Sequence, residues 1–137
     1  MQKEITLSTK EHEEIVDITD KVQKIVSEFK VKNGLCNVFA MHATAAIIIN
    51  ENYDSNLRSD IIKALNKSIP EKDNYLHDRI DNNAASHIRA TILGPSETIP
   101  INNGKLQLGT WQQIAFFELD GPRSERKIVV SVINLNS

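Results

Sequence analysis

The sequence predicts an α+β domain: a compact unit with a largely antiparallel, mixed β-sheet core and about three helices. Strand-like alternation at both ends of the chain and helical stretches between them do not alternate as βαβα, the order a parallel fold requires. Asn-Gly and Gly-Pro steps between short apolar runs are antiparallel turn chemistry. The 137 residues contain no repeat, low-complexity tract or Pro/Gly-rich linker, so one domain over 1–137 is expected. A chain of this length falls far short of the roughly 250 residues of an eight-fold β/α barrel.

The elements follow in order. Gln2–Ser8 and Glu14–Ile18 alternate apolar and polar residues, as half-buried strands do, and are candidates for a hairpin. From Thr19, a plausible N-cap, Val22, Ile25, Val26 and Phe29 recur at helical spacing until Asn33-Gly34 stops the helix. Leu35–His42 reads as a strand, and Ala45–Ile49 as an element buried on both faces. Asp54 or Ser55 caps a second helix with Leu57, Ile61, Ala64 and Leu65 as its apolar stripe, ended at Ile69-Pro70. A third runs from Ala84 to Ile92, capped by Asn82 or Asn83 and stopped by Gly94-Pro95. Ser96–Ile101 and Lys105–Leu108 flank Asn102-Asn103-Gly104, whose Asn-Gly step supplies the positive φ of a tight hairpin. Trp111–Leu119 and Arg126–Ile133 are two long strands joined through Asp120-Gly121-Pro122-Arg123.

Charge narrows the partners. Sixteen Lys and Arg stand against 18 Asp and Glu, without the basic excess or stripe of a nucleic-acid binder, so no nucleic-acid partner is expected. The sparse pairs Arg79 with Arg89 and Arg123 with Arg126 suit a small anionic ligand better. No Gly-rich phosphate loop occurs, and no apolar run reaches the length of a membrane span. The first residues are no apolar leader block, and a lone cysteine fits a reducing compartment; the reading is cytoplasmic, with no membrane partner.

The chemistry-bearing side chains are few. Cys36 and His42 share a strand face, but six residues of strand separate them by about 20 Å, so Cys36 is expected to be a small core residue and not a ligand beside His42. His77 and His87 are the other candidate imidazoles. Three imidazoles suit zinc, yet their spacing is neither the CxxC nor the HxxxH of a structural site. His12, in a charged stretch, is expected to be exposed. Asp81 is placed to orient an imidazole, while Asp81, Asn82 and Asn83 serve equally as turn and cap residues. The backbone N–H groups at that helix start are a further place for a phosphate. Glu118 alternates onto the face of Ile114 and Phe116, and a buried carboxylate needs a partner: an arginine such as Arg123 in a structural pair, or a ligand. Trp111 reads as a core strand residue or as a ring for stacking on a substrate.

Taken together, His42-Ala43-Thr44-Ala45, Asn50-Glu51-Asn52, Asp81-Asn82-Asn83-Ala84-Ala85-Ser86-His87-Ile88-Arg89-Ala90, Leu93-Gly94-Pro95-Ser96, Ile99-Pro100-Ile101, Gly104-Lys105-Leu106, Leu108-Gly109-Thr110-Trp111-Gln112 and Asp120-Gly121-Pro122-Arg123 resemble the YjbQ-like family over nearly the whole chain. The resemblance implies a small α+β homotrimer, some members of which are named secondary thiamine-phosphate synthases. It implies a divalent metal, zinc in the first instance or magnesium with a diphosphate substrate, held by His42, His77 and His87. Glu118, Asp81 and Arg123 are then the candidate catalytic residues, and Thr44, Asn83, Arg89, Trp111 and Gln112 the candidate substrate-binding residues. The implied reaction joins a hydroxymethylpyrimidine diphosphate to a thiazole phosphate with release of diphosphate, by positioning and by cations at the leaving group. A metal-dependent hydrolase of a small ester or phosphate, and a non-catalytic trimer that binds a small phosphorylated metabolite, are the alternatives.

Overall fold

The computed structural model describes residues 1–135. Its elements are β1 (Gln2–Leu7), β2 (Glu14–Asp17), α1 (Thr19–Glu28), β3 (Gly34–Ala40), β4 (Ala45–Asn50), α2 (Ser55–Ser68), a 3-10 helix (Leu76–Arg79), α3 (Ala84–Leu93), β5 (Ser96–Asn102), β6 (Lys105–Leu106), β7 (Gln113–Glu118) and β8 (Arg126–Asn134). The α+β class with three α-helices and antiparallel pairing holds, but the strands divide into two sheets. One has the order β1-β8-β3-β5-β6 and the other β2-β7-β4.

The hairpin expected from the first two strands is therefore not formed. β1 pairs with β8 and β2 with β7, in different sheets, so Ile5 and Leu7 reach the core from one side and Ile15 and Val16 join the other sheet. By contrast, the Asn102-Asn103-Gly104 hairpin is present: Asn102 faces Lys105, and the two turn residues have φ of 52° and 76°.

Side-chain alternation sorts the layers. Val38, Ile99, Ile128 and Val130 of the larger sheet meet Ile47, Ile114 and Phe116 of the smaller one, and α1 adds Val22, Ile25 and Val26 to the same core. The far face of the smaller sheet presents Ala46, Ile48, Phe117 and Leu119 to Ile61, Ile62 and Leu65 of α2 and to Ala90 and Leu93 of α3. That sheet is covered on both sides, which is why Ala45–Ile49 is an unbroken apolar run.

Caps fix the helices. The Asp54 carboxylate accepts from the Asn56 N–H at 2.8 Å and starts α2, which ends before Pro70. Thr19 is the first helical residue of α1 and not its cap; its hydroxyl donates to Asp17 and accepts the Ile114 N–H at 2.9 Å, tying helix to sheet. Trp111 is not a strand residue either. Gly109 to Gln112 form a turn, closed by the Gln112 N–H on the Gly109 carbonyl, and the β4 ladder reaches only to Gln113, which leaves Trp111 68% exposed.

Candidate functional site

His42 follows β3, His77 sits in the 3-10 helix, and His87 lies in the second turn of α3. Two links hold α3 in place. The Ser86 hydroxyl donates to the Leu119 carbonyl at 2.6 Å, and the Ala84 N–H donates to Asp78 at 2.9 Å. Asp78 thus occupies the helix start that the sequence offered to a phosphate.

These anchors make His87 the shared wall of two hollows. The first, about 430 Å³, is lined by Tyr75, Leu76, His77, Ala84, His87 and Ile88. His77 and His87 meet edge to face there, with ring centroids 4.9 Å apart. The second, about 380 Å³, is lined by His42, Ala43, Ala45, His87, Ala90, Thr91 and Pro95. The small side chains after His42 leave the room that its motif suggests.

The His42 Nε2 accepts the Lys127 backbone N–H at 2.7 Å. The neutral ring therefore carries its proton on Nδ1. Burial holds its pKa below the usual histidine range, and Arg126, Arg123 and Lys127 add to that against an opposing pull from Glu118. Each of these cations is itself paired with a carboxylate, Arg126 with Glu118, Arg123 with Asp120 and Lys127 with Glu4 and Glu125, and none of them lines the hollow.

The three imidazoles do not fit one shared ion within the chain. They are not among the groups whose donor atoms come within 4.8 Å of one another, and the His42 Nε2 lone pair is already engaged. Cys36 is a core residue, as expected; burial pushes its thiol up to about 11.

The remaining candidates are distributed as follows. Glu118 is fully buried between the sheets, where it is paired with Arg126 and not with Arg123: it accepts from Arg126 Nε at 2.8 Å, from Arg126 Nη2, from Thr9 at 2.7 Å and from the Asp120 N–H at 3.1 Å. Burial alone raises its pKa, and these donors outweigh it, so the carboxyl stays below its ordinary value. The Thr44 hydroxyl accepts from Arg126 at 3.0 Å and supports this pair. Arg123 is half-exposed and donates to Asp120 at 2.8 Å; Asn83 donates to the same carboxylate oxygen at 2.9 Å. Asp81 is exposed, 3.7 Å from His77 Nε2. Gln112 is engaged in its own turn with the Gly109 N–H.

Arg89 lines neither hollow. Its side chain is 0% exposed and donates to the Ile69 carbonyl and to Glu71, with Glu13 at 3.7 Å. Around it lies the arrangement that sequence reading missed. His12, Glu13 and Glu71 bring one donor atom each within 4.8 Å of one another, the one such group among the described residues. The adjacency of His12 and Glu13 is the only signal in the sequence; Glu71 arrives from the far end of α2.

The architecture and site together define a class: two antiparallel sheets, a helical layer on the smaller one, and histidine-walled hollows beside the last helix. The family model described as UPF0047 protein YjbQ-like matches residues 3–135, and the chain belongs to that family. It is 50% identical to a UPF0047 protein of Methanothermobacter thermautotrophicus over 94% of this chain and 89% of that one. A UPF0047 protein of Archaeoglobus fulgidus is 46% identical over 92% and 97%. Among solved structures, a protein of unknown function from Sulfolobus solfataricus superposes with a TM-score of 0.95 at 42% identity, covering 98% of this chain and 96% of that one. A family member from Clostridium acetobutylicum gives 0.91 at 44% identity, over 96% and 99%. Among the described residues, no helix is long and apolar enough to cross a membrane.

Proposed function

We propose that this protein is a small-molecule enzyme of the secondary thiamine-phosphate synthase type, acting in the paired hollows on either side of His87. The observation that carries the reading is the shared His87 wall: two adjoining spaces, each of small-ligand size, suit a reaction that joins two small molecules. The first space, with Tyr75, Leu76 and Ile88, accepts a flat heteroaromatic ring. The second, lined by His42, accepts phosphate oxygens, toward which the His42 Nδ1–H is a neutral donor.

In this reaction the thiazole nitrogen forms a C–N bond to the pyrimidine methylene carbon as the C–O bond to diphosphate breaks, and diphosphate leaves with the electron pair. No proton is removed from the nucleophile. The site therefore needs positioning and stabilisation of the leaving anion, not a poised carboxylate base, and the commitment of Glu118 to Arg126 is no obstacle.

The supporting assay is diphosphate release with both half-substrates, for wild type, His87→Ala and His42→Ala. Each variant is expected to lose at least about tenfold in turnover, with His87→Ala melting near the wild-type temperature. Release without the thiazole phosphate would identify a hydrolase, and binding without release a metabolite-binding protein.

The reading extends to assembly as a homotrimer. On the outer face of the larger sheet, Leu35 pairs across from Ile133 and Phe39 from Val129, with Phe39 and Ile133 exposed. Light scattering giving a mass three times that of the chain is the expected result.

A further inference from the structure

We infer that His12, Glu13 and Glu71 form a divalent transition-metal site of the zinc type, separate from the hollows at His87. The three residues come from the β1–β2 connection and from the segment after α2, and their donor atoms lie within 4.8 Å of one another. Ligands around a zinc ion at about 2.0–2.2 Å sit roughly 3.4 Å apart in a tetrahedral arrangement. His12 Nε2 and Glu71 Oε1 are already 3.5 Å apart.

The tautomer of His12 is the second observation. Its Nδ1 lies 3.3 Å from the Gly121 carbonyl oxygen, which only accepts, so Nδ1 carries the proton and the neutral ring turns its Nε2 lone pair toward the Glu71 carboxylate. Two acceptors facing each other call for a positive centre between them, which a metal ion or a second ring proton supplies. A histidine that donates one N–H to a backbone carbonyl and presents the other nitrogen to a metal is the usual arrangement of a histidine ligand.

The third is the division of carboxylate oxygens. Arg89 takes Glu71 Oε2 at 3.1 Å and lies nearest Glu13 Oε1, at 3.7 Å. That leaves Glu71 Oε1 for the ion, and Glu13 Oε2 is buried with no hydrogen-bond partner. The Glu13 side chain is only 11% exposed, so this oxygen lacks solvent compensation as well. Arg89 orients both carboxylates from behind. Two carboxylates and one guanidinium leave one net negative charge for a cation, and a nitrogen among the donors selects zinc-like ions over magnesium or calcium. Such an ion staples the β1–β2 connection to the end of α2, against the helix that carries His87.

The test is calorimetric titration of metal-free full-length protein with Zn²⁺, and with Mg²⁺ as control, for wild type, Glu13→Gln, His12→Asn and His87→Ala. One zinc per chain is expected in wild type and His87→Ala, with affinity weakened at least about tenfold in both Glu13→Gln and His12→Asn. His12 is nearly half exposed, so His12→Asn folds even where the change at buried Glu13 does not. No zinc binding by wild type, unchanged affinity in His12→Asn, or loss confined to His87→Ala would overturn the assignment.

Discussion

Replacing Arg126 by Met removes the guanidinium that compensates Glu118 and leaves a fully buried carboxylate with only the Thr9 hydroxyl and the Asp120 N–H. Breaking a buried pair from one side costs about 3–5 kcal/mol. A domain of this length has an unfolding entropy near 0.29 kcal/mol/K at its midpoint, so the loss corresponds to roughly 10–17 °C in Tm. Urea denaturation of Arg126→Met, Glu118→Met and the double variant gives the coupling directly. Because the double variant strands no charge, it is expected to cost less than the two single losses added together. The acid limb gives an independent check. The folded carboxyl lies below its ordinary value, so its contribution is complete above the unfolded pKa of about 4.3 and disappears as pH falls through the folded one. Glu118→Gln should flatten stability against pH in that window. A loss under about 1 kcal/mol for Arg126→Met, or additive single losses, would refute the reasoning.

Three further outcomes are expected. A Cβ at Gly34 would lie 2.0 Å from the Ile133 carbonyl oxygen of the neighbouring strand, so Gly34→Ala should cost about 3 kcal/mol by thermal melting, and an unchanged Tm would contradict the β3–β8 register. His42 titrates below its ordinary value, so its contribution is complete above the unfolded pKa of about 6.5 and falls away as pH drops through the folded one; His42→Gln should flatten stability between pH 7 and 5. Arg89→Met strands the Ile69 carbonyl and Glu13 in the interior and should destabilise by about 3–5 kcal/mol in urea, whereas a residue that only met substrate would leave the midpoint unmoved.

Local chemistry was legible wherever it acts over a few residues. The Asp54 cap, the Ile69-Pro70 stop, the left-handed Gly94 at the end of α3 and the Asn103-Gly104 turn all follow from backbone preferences of single residues. The doubly buried Ala45–Ile49 followed from its unbroken apolar run. Partner choice did not, because alternation says which face is buried and not which strand lies alongside; β1 therefore reaches β8 across nearly the whole chain. The same limit governs the site. His42 and His87 were visible through their motifs, but whether Arg89 faces a ligand or pairs with Glu13 and Glu71 depends on contacts made after α2 turns back. Glu118 was legible as a buried acid in need of a partner, yet whether Arg123 in the connection or Arg126 at the start of β8 reaches it depends on how the chain turns between β7 and β8.

The most direct experiment on the two-hollow account is a ¹⁵N–¹H titration of the protein with inorganic diphosphate and, separately, with hydroxymethylpyrimidine. Diphosphate is expected to move the Lys127 amide, which donates to His42, together with Thr91; the pyrimidine is expected to move Leu76 and Ile88. Both ligands leaving all four amides in place, with shifts elsewhere or none, would contradict it.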